Sequence, residues 1–113
     1  MVDTISEALD GMAQRYEDPK IKKMVKDFNQ PIELTFDAED HKVMILINGD
    51  QGIEVKDNEG DDSAPVKIHM ESEQVLIDLS NKKLGAVAGY SSGRIKIVEG
   101  AIKNLLKLRK LMF

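Results

Sequence analysis

The spacing of hydrophobic residues in the first thirty positions predicts two short helices. The first runs from the capping box that begins at Thr4 to about Glu17. The second begins at the Asp18-Pro19 step, which supplies an N-cap and a proline at the first helical position. Each helix is amphipathic, and their apolar faces consist of Ile5, Leu9, Met12 and Tyr16, and of Ile21, Met24, Val25 and Phe28.

After the second helix the pattern changes to a period of two, which is typical of β-strands. Residues 32–36 alternate apolar and polar side chains, so they predict a first strand with one buried face. Residues 43–47 are apolar on both faces and predict a central strand that is covered on both sides. The dipeptide Asn48-Gly49 predicts a hairpin turn into a third strand over residues 53–55. These three strands are expected to form an antiparallel meander.

The second half of the chain adds two strands and further helices. A polar loop over residues 57–63 precedes a fourth strand at residues 66–70, and a fifth strand follows at residues 95–98. Between these strands, Ser72 is expected to cap a helix, and the small apolar residues 84–90 predict a shorter one. The order of elements predicts an α+β fold: a five-stranded, mostly antiparallel sheet covered by helices, with two N-terminal helices and a C-terminal amphipathic helix.

The C-terminal helix is predicted from the segment that follows Gly100, and its role has more than one interpretation. It can complete the core, it can act as a lid or lie on a membrane surface, or it can form a homodimer or partner contact. Its apolar arc and its basic side consist of Ile102, Leu105, Leu106, Leu108, Met112 and Phe113, and of Lys103, Lys107 and Lys110.

Length and composition limit the chain to a single domain. Its 113 residues are 42% hydrophobic and 32% charged, which fits one compact domain over residues 1–113. The absence of Cys excludes cysteine-based zinc sites, iron–sulfur clusters and thiol nucleophiles. No apolar run reaches the ~18 residues of a membrane span, and the acidic N-terminus lacks the basic start of a signal peptide. We therefore expect a cytoplasmic protein.

Charge and aromatic content disfavour nucleic acid as a partner. The chain carries 16 Lys and Arg against 20 Asp and Glu, a net charge of −4. Its 3 Phe and 2 Tyr, with no Trp, leave little from which to build a base-stacking platform. The charges are also unevenly distributed, because acidic residues concentrate between Asp50 and Asp62 and basic residues dominate from Arg94 onward.

Motifs for catalysis and for metal binding are absent from the sequence. His41 and His69 lack a second ligand at metal-binding spacing and a visible carboxylate partner, and His69 alternates outward on its strand. The glycines of residues 85–93 are not followed by the Lys-Ser or Lys-Thr pair of a phosphate-binding loop, and no nucleophile elbow occurs. The acidic loop over residues 57–62 departs from the twelve-residue calcium loop and is expected to be solvated. We therefore expect a protein that is not an enzyme and binds no metal or cofactor, and neither histidine is expected to titrate in its function.

Short motifs in the second half of the chain resemble the sterol carrier protein type 2 family. They are the strand and acidic helix start at residues 66–76, the Lys-Leu and small-residue segment at residues 83–89, the strand at residues 92–97, and Gly100. Together with the meander, the resemblance covers about residues 32–113.

The resemblance implies an apolar tunnel between the sheet and the helices. Such a tunnel holds a sterol, a fatty acid or a fatty acyl-CoA, without catalysis and without a cofactor. Asn81 stands where the family often has Gly, and Val87 and Tyr90 replace a stretch that is rich in Phe in many members. These departures weaken the implied preference for sterols more than they weaken the implied fold.

We expect the wall of the tunnel to consist of residues whose alternation faces the helices. On the doubly apolar second strand, either Ile45 and Ile47 or Met44 and Leu46 can face inward, and we assign the first pair. The predicted lipid-binding residues are Phe36, Ile45, Ile47, Leu84, Val87, Leu105, Leu108 and Met112.

The sequence leaves three functional hypotheses. The leading one is non-catalytic binding or transfer of a hydrophobic ligand, with transient contact to a membrane surface. The second is an interaction or dimerisation domain with a closed cavity, which docks through its C-terminal helix. The third is a helper that presents acyl-CoA to an enzyme, with Arg94, Lys96 or Lys103 near the phosphates.

Overall fold

The computed structural model describes residues 3–99 of the chain. The C-terminal helix, and the docking or dimerisation that would depend on it, lies outside the described residues. Within them the chain forms four helices and five strands: α1 (Ile5–Tyr16), α2 (Pro19–Met24), β1 (Pro31–Phe36), β2 (His41–Asn48), β3 (Gly52–Asp57), β4 (Val66–Met70), α3 (Glu73–Ser80), α4 (Ala86–Ser91) and β5 (Ile95–Glu99).

The first two helices begin where the sequence places their N-caps. Thr4 Oγ1 accepts a hydrogen bond from the Glu7 amide at 3.2 Å, and Asp18 Oδ1 accepts one from the Lys20 amide at 2.9 Å. Each bond satisfies an amide that has no partner within the first turn of its helix. The local sequence therefore determines where both helices start.

The end of α2 depends on a contact with the β2–β3 turn. α2 stops at Met24, and the residues after it form a turn instead of the longer helix that the apolar spacing predicts. The Phe28 carbonyl then accepts a hydrogen bond from the Gly49 amide at 2.9 Å, and the Tyr16 hydroxyl donates one to the Gly49 carbonyl at 2.6 Å. The hairpin turn is thus hydrogen-bonded to α1 and to the segment that follows α2.

The five strands form one mixed sheet in the order β3-β2-β1-β4-β5. β1, β2 and β3 pair antiparallel, which confirms the predicted meander. β4 pairs parallel with β1, and β5 pairs antiparallel with β4. β2 is an internal strand, as its two apolar faces predict, but β1 occupies the middle of the sheet because β4 crosses to its other edge.

The helix after β4 is capped by a distant side chain. Ser72 occupies the N-cap position of α3 in an extended conformation, but its side chain makes no capping hydrogen bond. Instead, Glu39 Oε1 accepts a hydrogen bond from the Glu73 amide at 3.0 Å. A carboxylate from the β1–β2 turn therefore replaces the serine cap that the sequence predicts, and it also places a negative charge at the helix N-terminus, where that charge is favourable.

The helices pack on one face of the sheet, which we call the inner face. The side chains that form this face alternate along every strand, and the helices contribute the other side of the same buried core. The apolar residues of the inner face are Ile32, Leu34, Phe36, Val43, Ile45, Ile47, Ile53, Val55, Val66, Ile68, Met70, Ile95 and Ile97. No helix among the described residues is long and apolar enough to cross a lipid bilayer.

The opposite, outer face of the sheet is partly covered by the β3–β4 loop. Glu33 on the central strand is only 3% exposed, and its Oε2 accepts a hydrogen bond from the Asp61 amide at 2.6 Å. The Lys67 ammonium donates another to the Asp62 carbonyl. The acidic loop is exposed to solvent, as predicted, but it is also anchored to the sheet by these two bonds.

Candidate functional site

The predicted lining residues occupy several different environments. Phe36, Ile45 and Ile47 lie on the inner face and are at most 4% exposed. Leu84 is half-buried and packs against the same core, whereas Val87 on α4 is 60% exposed. The remaining predicted residues lie outside the described range, and they are Leu105, Leu108 and Met112.

Strand pairing determines which apolar face of β2 meets the helices. Ile45 lies opposite Ile32 of β1 and Val55 of β3, which are members of the helix-covered core. Met44 lies opposite Glu33, so it belongs to the outer face. Met44 is nevertheless only 5% exposed. Side chains on both faces of β2 are therefore buried, which explains why the strand is apolar on both sides.

The inner face and the helices that cover it form a hydrocarbon environment. The helix side is contributed by apolar residues of α1 and α3, together with the ring of Tyr16. The Tyr16 hydroxyl is already bonded to the Gly49 carbonyl. A ligand in contact with these surfaces would interact through dispersion and hydrophobic burial, which is worth about 0.8 kcal/mol for each methylene group removed from water.

Helix α4 lies unusually close to the edge strand β5. A Cβ atom on Gly89 would lie 2.7 Å from Ile95 Cδ1, so only glycine permits this approach without a shift of the buried isoleucine. Ala86 and Gly89 form the buried side of α4. On its other side Val87 and Tyr90 are 60% and 41% exposed, so an apolar surface borders the inner face at this end of the sheet.

A histidine–carboxylate cluster joins β2, β3 and α3. His41 Nδ1 lies 3.0 Å from Glu73 Oε2, and His41 Nε2 lies 2.5 Å from Asp57 Oδ1. The imidazole is 12% exposed, and its ring centroid lies 5.5 Å from that of Phe36. The other histidine also has a carboxylate partner, since His69 Nδ1 lies 2.9 Å from Asp37 Oδ1. These partners were not indicated by the sequence.

The pKa of His41 is raised above its ordinary value of 6.5. Burial alone would lower this pKa, but hydrogen bonds and charge interactions with Asp57 and Glu73 favour the protonated ring and outweigh burial. Because the folded state holds the proton more tightly than the unfolded state, the cluster stabilises the fold below the ordinary pKa. This contribution is lost as the pH rises through the folded-state pKa.

We therefore predict a pH-dependent effect of His41→Gln. The melting temperature of the variant should fall further below that of the unmodified protein at pH 5.5 than at pH 8.5, as measured by thermal denaturation at both pH values. The double variant Asp57→Asn/Glu73→Gln removes the same interactions and should reduce the same pH dependence. An equal difference at both pH values would show that His41 is not charged in the folded protein near pH 5.5.

Two surface depressions lie on or near the outer face. One, of about 130 Å³, is lined by charged side chains of both signs, including Asp37, His69 and Arg94. The other, of about 460 Å³, lies at the hairpin end of the sheet beside Pro31 and Leu46. Among residues 3–99, no group of three or more His, Asp or Glu side chains is arranged to hold a metal ion.

The chain matches neither a protein-family model nor a curated protein. It does match solved structures. A double mutant of the sec-alkyl sulfatase PisA1 matches with a TM-score of 0.71 and 14% identity over 88% of this chain, which spans 15% of that enzyme. A crystal structure of sterol carrier protein 2 matches with a TM-score of 0.66 and 16% identity, over 88% of this chain and 86% of the other.

A third solved structure extends this likeness over nearly the whole chain. The palmitated SCP2L2 protein from Aedes aegypti matches with a TM-score of 0.66 and 14% identity, over 97% of this chain and 95% of the other. The chain therefore has the sterol carrier protein 2 fold, as its short motifs predicted. The five-stranded α+β architecture is confirmed by the same matches.

Proposed function

We propose that this chain, which has the sterol carrier protein 2 fold, binds one hydrophobic ligand between its helices and the inner face and releases it chemically unchanged. The ligand class is a fatty acid, a fatty acyl-CoA or a sterol-like lipid. The observation that carries the proposal is the match to a palmitated protein over 97% of this chain. The same fold is thus compatible with an acyl chain, although the two sequences are only 14% identical.

The chemistry of the inner face supports the proposal. In the described residues this face is apolar except at one end, where His41 and Asp57 lie in register with Phe36 and Val43. A long alkyl chain needs no hydrogen bonds and gains free energy from every methylene group that leaves water. An apolar wall therefore suffices for affinity, and the polar end of the ligand would remain near solvent.

We place the ligand beside Phe36, Ile45 and Ile47, with Leu84 and Val87 near the point of entry. Leu84 supports this position because it is half-buried, packs against the core and has its side chain next to Gly89 of α4. Val87 supports it because its side chain is exposed at the border of the inner face. The predicted wall is completed by residues outside the described range: Leu105, Leu108 and Met112.

A titration with a fluorescent fatty acid tests this proposal. The unmodified protein should show saturable binding, and Leu84→Asn should weaken it by at least about tenfold, because a polar group then replaces part of the apolar wall. Val98→Asn is the matched control, since Val98 on β5 is 54% exposed and is not part of the buried core, and it should bind as the unmodified protein does.

One further variant and a check of secondary structure are needed to interpret this titration. Leu84→Ala adds no polar group, so its affinity should fall between those of the unmodified protein and Leu84→Asn. Far-ultraviolet circular dichroism should show that all the variants keep their secondary structure. An absence of saturable binding by the unmodified protein, or equal affinities for Leu84→Asn and Val98→Asn, would contradict the proposed site.

A further inference from the structure

The charge of this protein is separated between the two edges of its sheet. Residues 79–98 contain no Asp or Glu and are the longest acid-free stretch in a chain of net charge −4. This stretch includes α4 and most of β5, which is one edge of the sheet. The acidic residues between Asp50 and Asp62 lie on β3, at the opposite edge, and in the loops beside it. The molecule is therefore a dipole whose basic end is the α4–β5 edge.

The basic side chains at this edge are available to an external anion. Lys82 and Lys83 are exposed, and within residues 3–99 neither of them forms an ion pair with a carboxylate. Lysines elsewhere in the described part of the chain do form such pairs, for example Lys22 with Glu17 at 3.4 Å. Exposed cations without partners keep most of their attraction for an anionic surface.

The same stretch contains the large hydrophobic side chains that are most exposed in the described part of the protein. They are Val87, Tyr90 and Val98. Val87 and Tyr90 lie three residues apart and share the face of α4 that points away from β5, because Ala86 and Gly89 occupy the side that packs on it. A tyrosine that is 41% exposed, such as Tyr90, suits the boundary between water and lipid.

We infer that the surface formed by Lys82, Lys83, Val87 and Tyr90, which we call the α4 surface, docks on membranes that contain anionic lipids. The basic residues would contact lipid phosphates and carboxylates, and Tyr90 would enter the headgroup region. The inference rests on the proposed function, because it places the entry to the inner face against the membrane that supplies or receives the ligand.

The charge of the α4 surface also favours a membrane, instead of a second copy of this chain, as its partner. A two-fold symmetric dimer would bring the α4 surface against itself and would place like charges together. An anionic membrane instead opposes the basic edge with negative charge, while the acidic β3 edge is repelled and points away. The dipole thus orients the protein before contact.

Co-sedimentation with lipid vesicles tests the inference. The protein should bind vesicles of phosphatidylcholine mixed with phosphatidylserine, should bind poorly to phosphatidylcholine alone, and should dissociate as salt is added. Lys82→Glu/Lys83→Glu should reduce the bound fraction by at least about fivefold. Lys20→Glu/Lys23→Glu is the matched control, because it makes the same change in net charge at exposed positions on α2 and should change binding by less than about twofold.

Tyr90→Ser tests the apolar part of the surface and should lower binding to the mixed vesicles without changing the charge. Equal binding to both kinds of vesicle, or equal losses in the two charge-reversal variants, would overturn the inference.

The fluorescent fatty-acid titration separates this inference from the proposed function. Lys82→Glu/Lys83→Glu should bind the fatty acid in solution as the unmodified protein does. Specific vesicle binding in a protein that binds no fatty acid would support the α4 surface and contradict the proposed function.

Discussion

Gly49→Ala is expected to destabilise the protein by about 3 kcal/mol or more. Gly49 has a φ of 54°, and a Cβ atom at this position would lie 2.5 Å from the backbone carbonyl oxygen of Lys26. The left-handed conformation alone costs an alanine about 1–2 kcal/mol. The close contact is with backbone, so relieving it must displace the turn and weaken its hydrogen bonds to Phe28 and Tyr16.

Gly52→Ala is the matched control for this prediction. Gly52 begins the strand after the same turn, its φ is not in the left-handed region, and a Cβ atom there meets no heavy atom within 4 Å. Its substitution should change stability by less than about 1 kcal/mol. Urea denaturation measures both effects, and similar free energies of unfolding for the two variants would contradict the docked turn.

Phe36→Ala is expected to cost about 3–5 kcal/mol of stability. Phe36 is completely buried on the inner face of the central strand, and its ring also packs against His41. Truncation to alanine removes most of the side chain. Because β2 and β4 pair with β1 on either side of this position, they can move little to fill the resulting cavity.

Phe36→Leu keeps this prediction measurable even if Phe36→Ala is too unstable to purify. Leucine retains a large apolar side chain at the same position, so we expect a smaller loss of about 1–2 kcal/mol. Urea denaturation of both variants should therefore rank them in the order unmodified, Phe36→Leu, Phe36→Ala. Equal stability of all three proteins would mean that Phe36 does not support the inner face.

Local patterns predicted most of the fold because local forces determine those elements. The caps at Thr4 and Asp18 bond to amides that lie within three residues of them, and the turn at Gly49 needs a conformation that glycine accepts readily. Strand alternation is equally local, since neighbouring side chains always point to opposite faces. These features can be read from short windows of sequence.

Contacts between distant segments were the part that the sequence did not predict. The parallel pairing of β4 with β1 depends on where the chain goes after the β3–β4 loop, and the spacing of residues along the sequence did not indicate it. The Glu39 cap on α3 spans 34 residues, and the His41–Glu73 contact spans 32. The hairpin register alone could have indicated that His41 and Asp57 lie near each other at one end of the β2–β3 pair.

The candidate site was predicted to a similar extent and for similar reasons. Alternation placed Phe36, Ile45 and Ile47 on a common face, and strand pairing shows that this face is the one covered by helices. The exposure of Val87 was not predictable, because α4 is too short for its apolar spacing to identify a buried side. Gly89 explains the orientation of α4, since its close approach to Ile95 fixes which side meets β5.

Native mass spectrometry after incubation with palmitate and removal of the unbound acid tests whether the inner face holds a lipid, because it reports bound mass and stoichiometry together. We expect one palmitate for each folded chain, and we expect the ligand to be released unchanged when the protein is denatured. A folded protein that retains only its polypeptide mass, even with palmitate in excess, would contradict the proposal that the inner face holds a lipid.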